Sequence, residues 1–594
     1  MLSSPPLPTA PPPSAPRARA ALPLIALALA PLWLVGIFHR GLWTPDEPRE
    51  ADIAWRMSWQ QDRLLPQLAG TAFLEKPPLS YWMSADAIRA WGDSPGAARA
   101  PNLLYAMVTA LAVGALALAM ELEMLPALLA ALLAASALTV LRVAVWLAPD
   151  ACLLAACALA LLGAWLGLRA AAGVPKLAGY ALLHVGAAIG FMAKSAPGWL
   201  VPGLALLTLI VWERRWSELR RFELYAGLAL QALIIGPWVI AVARSAHGNE
   251  ALRTLFWNNV VGRFTQVAAP AGLDYTSGHH NTPGKYLLAL PVYLLPWTLV
   301  VGAALTRAWA RAREPGPRGT AWRFALAASI PLLVVLSLAA TARDIYAAPA
   351  LLGFGLLAGL WAADLKRQVS RLDRLALLGT VALIAVVALA LALGLAVLAA
   401  AAAGATGVCA AAAIGVLAIA AVGLSGAVHA LRHTAPQRSL AWGYATYAAV
   451  FCLAALPAFP IVDRWQDLPA LAAHIHSDTA NASLALLDPD ETTVAMLDHG
   501  FSARFDVLRS GAGEPRQVVS DWFTARGPEA RVLVLLPGHA SGALTELIGR
   551  FRHLPAPSDG VAAALTAAGS AVLVQRYELL HGRRYALLEP PPPH

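Results

Sequence analysis

Thirteen apolar runs, most of them near the ~20 residues of helix that cross a hydrocarbon layer, constrain this chain more than any other feature. They lie near 21–38, 101–120, 124–141, 150–168, 177–193, 197–212, 224–243, 285–305, 324–340, 345–363, 375–400, 407–430 and 439–458. A backbone in lipid must satisfy its own polar groups, so runs of this kind fold as helices. The chain therefore reads as a polytopic α-helical membrane protein. Composition agrees, because only 13% of the 594 residues are charged and 58% are hydrophobic, too little charge to clothe a soluble protein of this size.

The net charge of +9 does not point to nucleic acid, because the basic residues sit mainly in short loops between the runs. With the N-terminus inside, alternate loops hold Arg214, Arg215, Arg307, Arg311, Lys366, Arg371 and Arg432, while the short outside loops hold Arg142, Lys194 and Arg343. That asymmetry is the positive-inside pattern, and it supports thirteen spans with the C-terminus outside. The Pro- and Ser-rich residues 1–20 read as a disordered cytoplasmic tail, and 21–38 as a retained first span. Residues 21–458 form the membrane domain, with large outside loops at 39–100 and 244–284. Residues 459–594 form a small outside domain. Its β-rich words SLALLD, RVLVLLP, AVLVQRY and RYALLE alternate with helical stretches such as LPALAAHIHS and ALTELIGRFRHL, an α/β pattern. The four cysteines all lie in apolar stretches and read as small buried hydrophobes.

The first outside loop carries the chemistry. It holds eight acids and seven Lys/Arg yet is strewn with Trp, Met, Leu and Ile, a mixture suited to the membrane–water boundary. Asp46 and Glu47 precede a helix-compatible stretch opened by Pro48; acids there also stabilise the helix N-terminus. In Glu75-Lys76-Pro77-Pro78 the prolines hold an extended backbone. Lys76 could then present a point charge to a phosphate, or form an ordinary ion pair with Glu75 or a neighbour.

The words DEPREADIAWRM, LEKPPLSYW and GDSPGAARAPNLLYA, in that order, resemble the first periplasmic loop of the GT-C glycosyltransferases that use polyprenyl-phosphate sugars. Within that group the chain is similar to the aminoarabinose transferases of lipid A and the protein O-mannosyltransferase superfamily. The resemblance implies a GT-C membrane domain of about thirteen spans with a C-terminal periplasmic α/β domain, in a bacterial inner membrane, and an active site on the periplasmic face. It implies a catalytic role for Asp46, with Glu47 beside it, and for Asp150 in WLAPDACLL. It places Lys76, Lys194 of GFMAKSAPG, Arg263 of FWNNVVGRFTQ and Arg343 of ARDIYAAPAL on the donor phosphate. Glu75, Tyr81, His280, Tyr286 and Tyr346 would position substrate. Two departures stand out: Asn259-Val260-Val261-Gly262-Arg263-Phe264 replaces the usual E-H-I-Q-R-F, and Glu50 stands where D-E-x-R-Y ends in tyrosine.

The implied partners are a polyprenyl-phosphate-linked sugar donor and a lipid or glycolipid acceptor such as lipid A, with protein hydroxyls as the alternative acceptor. The outside charges, independently of any family, form an anion site at the interface where a lipid-linked phosphate would bind. Direct displacement would invert the anomeric centre. No cofactor is required, no metal-ligand spacing is present, and a divalent cation stays open as an addition. A lipid-linked sugar flippase is the rival from another class; the near absence of ionisable residues within the spans argues against it.

Overall fold

The computed structural model describes residues 15–246, 248–258, 282–339, 343–401, 404–501, 504–511, 514–537, 559–579 and 583–592. Among them, ten helices are long and apolar enough to cross a membrane. Two bent helix pairs, each taken as one span, bring the number to twelve, and a shorter apolar helix, Pro197–Trp212, fills the remaining predicted run. The expected count of thirteen is thus approximate, though every predicted run is helical. The first helix starts at Ala15, and the helix that carries the last predicted run continues to Trp465.

The runs 124–141 and 285–305 are not the straight helices the sequence suggests. Met124–Ser136 and Leu138–Val145 meet at 68°, and Lys285–Tyr293 and Thr298–Arg311 at 120°. Pro296 explains the second break, since it has no N–H to donate and drives the residue before it out of helical geometry. The two breaks interlock: the Leu138 N–H donates to the Leu295 carbonyl at 2.9 Å, and Trp297 Nε1 donates to Ser136 Oγ at 3.0 Å. Each break satisfies polar groups that the other exposes.

Close helix approach positions the ends of Pro149–Arg169 and Val174–Lys194. A Cβ at Gly163 would come within 2.2 Å of the Leu183 nitrogen, and one at Gly186 within 2.7 Å of the Ala156 carbonyl. Small residues of this kind let backbones touch within a membrane. The tight antiparallel pair brings the first turn of one helix, with Asp150, against the last turn of the other, with Lys194.

The first loop folds as a helix (Glu47–Trp59), a short hairpin of β1 (Gln67–Leu68) and β2 (Thr71–Ala72), and a second helix (Leu79–Trp91). Ser94 then caps the next span, accepting from the Ala97 N–H at 3.1 Å.

Among the described residues, the C-terminal domain carries a five-stranded mixed sheet of β3 (Ser483–Leu487), β4 (Phe505–Leu508), β5 (Ala530–Leu536), β6 (Val572–Glu578) and β7 (Arg584–Glu589). Their order is β4-β3-β5-β7-β6, with β4, β3 and β5 parallel and the last two strands antiparallel. Four of the five strands match the predicted β-rich words; β4 is short and too mixed to announce itself. The helix Leu468–Asp478 also matches, while the stretch ALTELIGRFRHL lies outside the described residues.

Candidate active site

The helix Glu47–Trp59 begins with two adjacent acids whose surroundings differ completely. Glu47 is fully buried. It accepts from Arg40 Nη2 at 2.8 Å, Arg99 Nε at 3.0 Å and the N–H groups of Trp43 and Leu147, each at 2.8 Å. Arg99 in turn donates to the Ile37 and Arg40 carbonyls. Burial alone would raise the Glu47 carboxyl, but Arg99 and Arg40 outweigh it and hold its pKa below the ordinary value. Every lone-pair direction of this carboxylate is taken up by protein.

Asp46, at the head of the same helix, is open on one side. Arg343 Nη1 donates to its Oδ1 at 2.6 Å, and Arg49 Nη2 to the same oxygen at 3.3 Å. Among the described residues nothing bonds Oδ2. Burial pushes this carboxyl up, yet Arg49, Arg343 and Lys76 together bring it below its usual value. Asp46 is therefore ionised at neutral pH.

Lys76 joins this acid to a cavity. Its Nζ donates to Glu50 Oε1 at 2.8 Å and lies 3.4 Å from Glu75. Glu50 also accepts from Arg49 at 2.6 Å. Burial disfavours the charged amine of Lys76, but Glu50 and Glu75 prevail and its pKa is raised. Tyr81 lies beside Glu50, buried, and burial with that carboxylate keeps its hydroxyl protonated.

The cavity encloses about 110 Å³. Its walls are largely apolar, from Leu153, Leu200, Val201, Leu332, Leu336 and Ile345, and Glu75, Lys76, Asp150 and Lys194 are its charged lining. Lys194 Nζ donates to Asp150 at 2.5 Å and sits 4.2 Å from the Tyr346 ring centroid. Ser195, which also lines the cavity, has φ +63, so the turn after Lys194 demands a glycine-like backbone. Tyr286 donates to the Arg343 carbonyl at 2.8 Å and so tethers the segment bearing Arg343 and Tyr346.

Asp46, Glu75, Lys76, Tyr81, Asp150, Lys194, Tyr286, Arg343 and Tyr346 thus gather in one region. Arg263 and His280 lie outside the described residues. Sequence reasoning did not find Arg40 and Arg99, which frame Glu47, or assign roles to Arg49 and Glu50. An arginine just ahead of a long apolar run, as Arg99 is, was the available signal. Among the described residues, no group of three or more His, Cys, Asp or Glu could hold a metal ion. The site's carboxylates are each engaged by Lys or Arg, which is a poor donor set for a divalent cation.

Comparisons with known proteins agree with this architecture. The ArnT crystal structure from Cupriavidus metallidurans bound to undecaprenyl phosphate superposes with a TM-score of 0.68, at 20% identity, over 97% of this chain and 98% of that one. This chain has a GT-C fold. It is similar to the aminoarabinose transferases. The apo form of the same ArnT gives a TM-score of 0.66. Residues 75–240 match the family described as Dolichyl-phosphate-mannose-protein mannosyltransferase. An undecaprenyl phosphate-alpha-4-amino-4-deoxy-L-arabinose arabinosyl transferase of Pseudomonas paraeruginosa is 30% identical over 62% of this chain and 64% of its own length. A second such transferase, from Pseudomonas fluorescens, is 32% identical over 50% of this chain and 52% of its own. The chain therefore matches between about half and two thirds of the length of these relatives.

Proposed function

We propose that this protein transfers a sugar from a polyprenyl phosphate carrier to a glycolipid of the cell envelope, with lipid A as the first acceptor to test. One observation carries the reading: an apolar-walled cavity is lined on its polar side by lysines and carboxylates that connect, through Lys76, Glu50 and Arg49, to the carboxylate of Asp46. An apolar tail lies along the walls, and the carrier phosphate rests on Lys76 and Lys194. The sugar faces Asp46. The names of the similar transferases make 4-amino-4-deoxy-L-arabinose the first donor sugar to try.

In the reaction the bond from the sugar C1 to the carrier phosphate oxygen breaks, and an acceptor oxygen bonds to C1 from the opposite face, inverting that centre. The electron pair leaves on polyprenyl phosphate, where Lys76, Lys194 and Arg343 stabilise it. A carboxylate held below its usual pKa is a weak base, so Asp46 orients the nucleophile and stabilises the positive charge growing on the sugar. Such a site suits an acceptor that is already ionised, such as a lipid phosphate. Side-chain cations supply the charge stabilisation, and a chelator should leave the rate unchanged.

The reaction takes place on the outer face of the inner membrane, with the N-terminus inside. Mass spectrometry of envelope lipids from cells with wild-type protein and from a deletion strain tests the function. A pentosamine-sized increment lost on deletion supports it. Identical envelopes together with sugar-loaded carrier accumulating on one leaflet would favour a flippase.

A further inference from the structure

The C-terminal domain does not hang free of the site. Its helix Glu491–Asp498 lies directly on the first-loop helix Glu47–Trp59. Glu491, at its first turn, pairs with Arg49 Nη1, the same guanidinium whose Nη2 holds Asp46 and Glu50. Thr492 Oγ1 donates to the Pro45 carbonyl at 3.0 Å, one residue before Asp46. At the far end Arg56 forms a two-pronged pair with Asp498, and His499 Nε2 bonds Asp93 at 3.1 Å. The contact therefore runs the length of the docking helix, and its first turn reaches the reactive end of the loop helix.

We propose that the C-terminal domain completes the active site through Glu491, a positioning residue that fixes Arg49 and, through it, the carboxylate of Asp46. A guanidinium is a planar fork. Pinned at Nη1 by Glu491 and at Nη2 by Asp46 and Glu50, it has one orientation. Without Glu491 the fork is anchored on one edge only, and the 3.3 Å contact to Asp46 is the weaker of its two bonds there. Asp46 Oδ1 is then left to Arg343, whose side chain is more than a third exposed, and the direction of Oδ2 is no longer set. This assignment rests on the transferase reading above and gives the extra domain a part in it that its own sheet, with no recognisable catalytic word, does not suggest.

The test uses the full chain in lipid nanodiscs with an undecaprenyl-phosphate-linked aminoarabinose donor and lipid A. Glu491→Gln keeps shape and loses charge; a misplaced reacting group costs on the order of 10- to 100-fold. The expected result is a fall of that size in kcat with donor KM within about twofold, since Lys76 and Lys194 still bind the phosphate. Glu491→Asp should recover most of the rate, while Arg526→Gln, in an exposed ion pair elsewhere in the domain, should match wild type. Wild-type kcat in Glu491→Gln would overturn the proposal. So would equal losses in Glu491→Gln and Glu491→Asp with loosened exchange throughout the sheet, which marks a role in folding alone. If the wild-type protein itself transfers nothing, the transferase reading fails and amide exchange still decides the role of Glu491. Faster exchange in Glu50–Met57 with the sheet unchanged upholds the link; unchanged exchange there refutes it.

Discussion

Asp46 and Glu47 are neighbours in sequence and opposites in environment. Glu47 spends its whole carboxylate on Arg40, Arg99 and two backbone N–H groups inside the protein, so it serves the fold. Removing its charge leaves two buried guanidinium groups facing each other, a defect of about 3–5 kcal/mol. Glu47→Gln is expected to lose folded protein, seen as a collapse of the monodisperse peak in detergent size-exclusion. Asp46→Asn keeps an amide oxygen for Arg49 and for the partly exposed Arg343, and should elute as wild type. The two acids formed one candidate pair in the sequence because nothing local distinguishes them. What separates them is Arg99, fifty-two positions away from Glu47. Lys76 shows the same limit: its Glu75 partner was visible in the motif, whereas its closer contact with Glu50 needed the fold.

Among elements, the first-loop helix and the docking helix share a second polar contact whose charge depends on pH. Asp52 is fully buried, its Oδ2 accepting from the Ala69 N–H at 3.1 Å. Burial first, and the adjacent Asp498 carboxylate second, raise its pKa well above 3.8. The folded state thus holds a proton that the unfolded chain releases. Stability is full below about pH 4 and is lost as pH rises through the raised value, the reverse of an ordinary paired carboxylate. Asp46, Glu47 and Glu50 have lowered values, and their opposite dependence falls below the usual carboxylate range. From about pH 5 upward the loss of stability from the Asp52 carboxyl is therefore unopposed by them. Thermal unfolding should show a midpoint that drops across that range in wild type and drops less in Asp52→Asn. Equal slopes would remove Asp52 from the docking contact. The broken helices belong to this scale too. Their apolar runs were plain in the sequence, and Pro296 hinted at one bend, but the pairing of Leu138 with Leu295 is a tertiary event with no local signal.

Over the whole molecule, the two ends of the bundle differ in chemistry. At one end Lys76, Asp150 and Lys194 line the cavity, and Arg343 pairs with Asp46. Residues assigned to inside loops gather elsewhere: Arg311 binds Asp364 at 2.7 Å, Arg307 pairs with Asp373, and Lys176 binds Glu218 at 2.9 Å. Membrane-impermeant labelling of single cysteines tests the topology this implies. A cysteine at Arg313 should label only after the membrane is opened, and one at Asp488 in intact spheroplasts; the reverse pattern would invert the protein. The span positions and most strands of the C-terminal sheet were legible because hydropathy and alternation are local properties. The place of that sheet against the first loop was not, because it depends on pairs such as Arg49 with Glu491 and Arg56 with Asp498, separated by 442 positions each. The most direct test of the central claim is a single-turnover measurement on the purified full chain loaded with undecaprenyl-phosphate-linked aminoarabinose and given lipid A. Wild type should release undecaprenyl phosphate in step with sugar-bearing lipid A, and Asp46→Asn should retain bound donor and release neither. Transfer by Asp46→Asn at the wild-type rate, or donor consumed without a glycosylated acceptor, would contradict it.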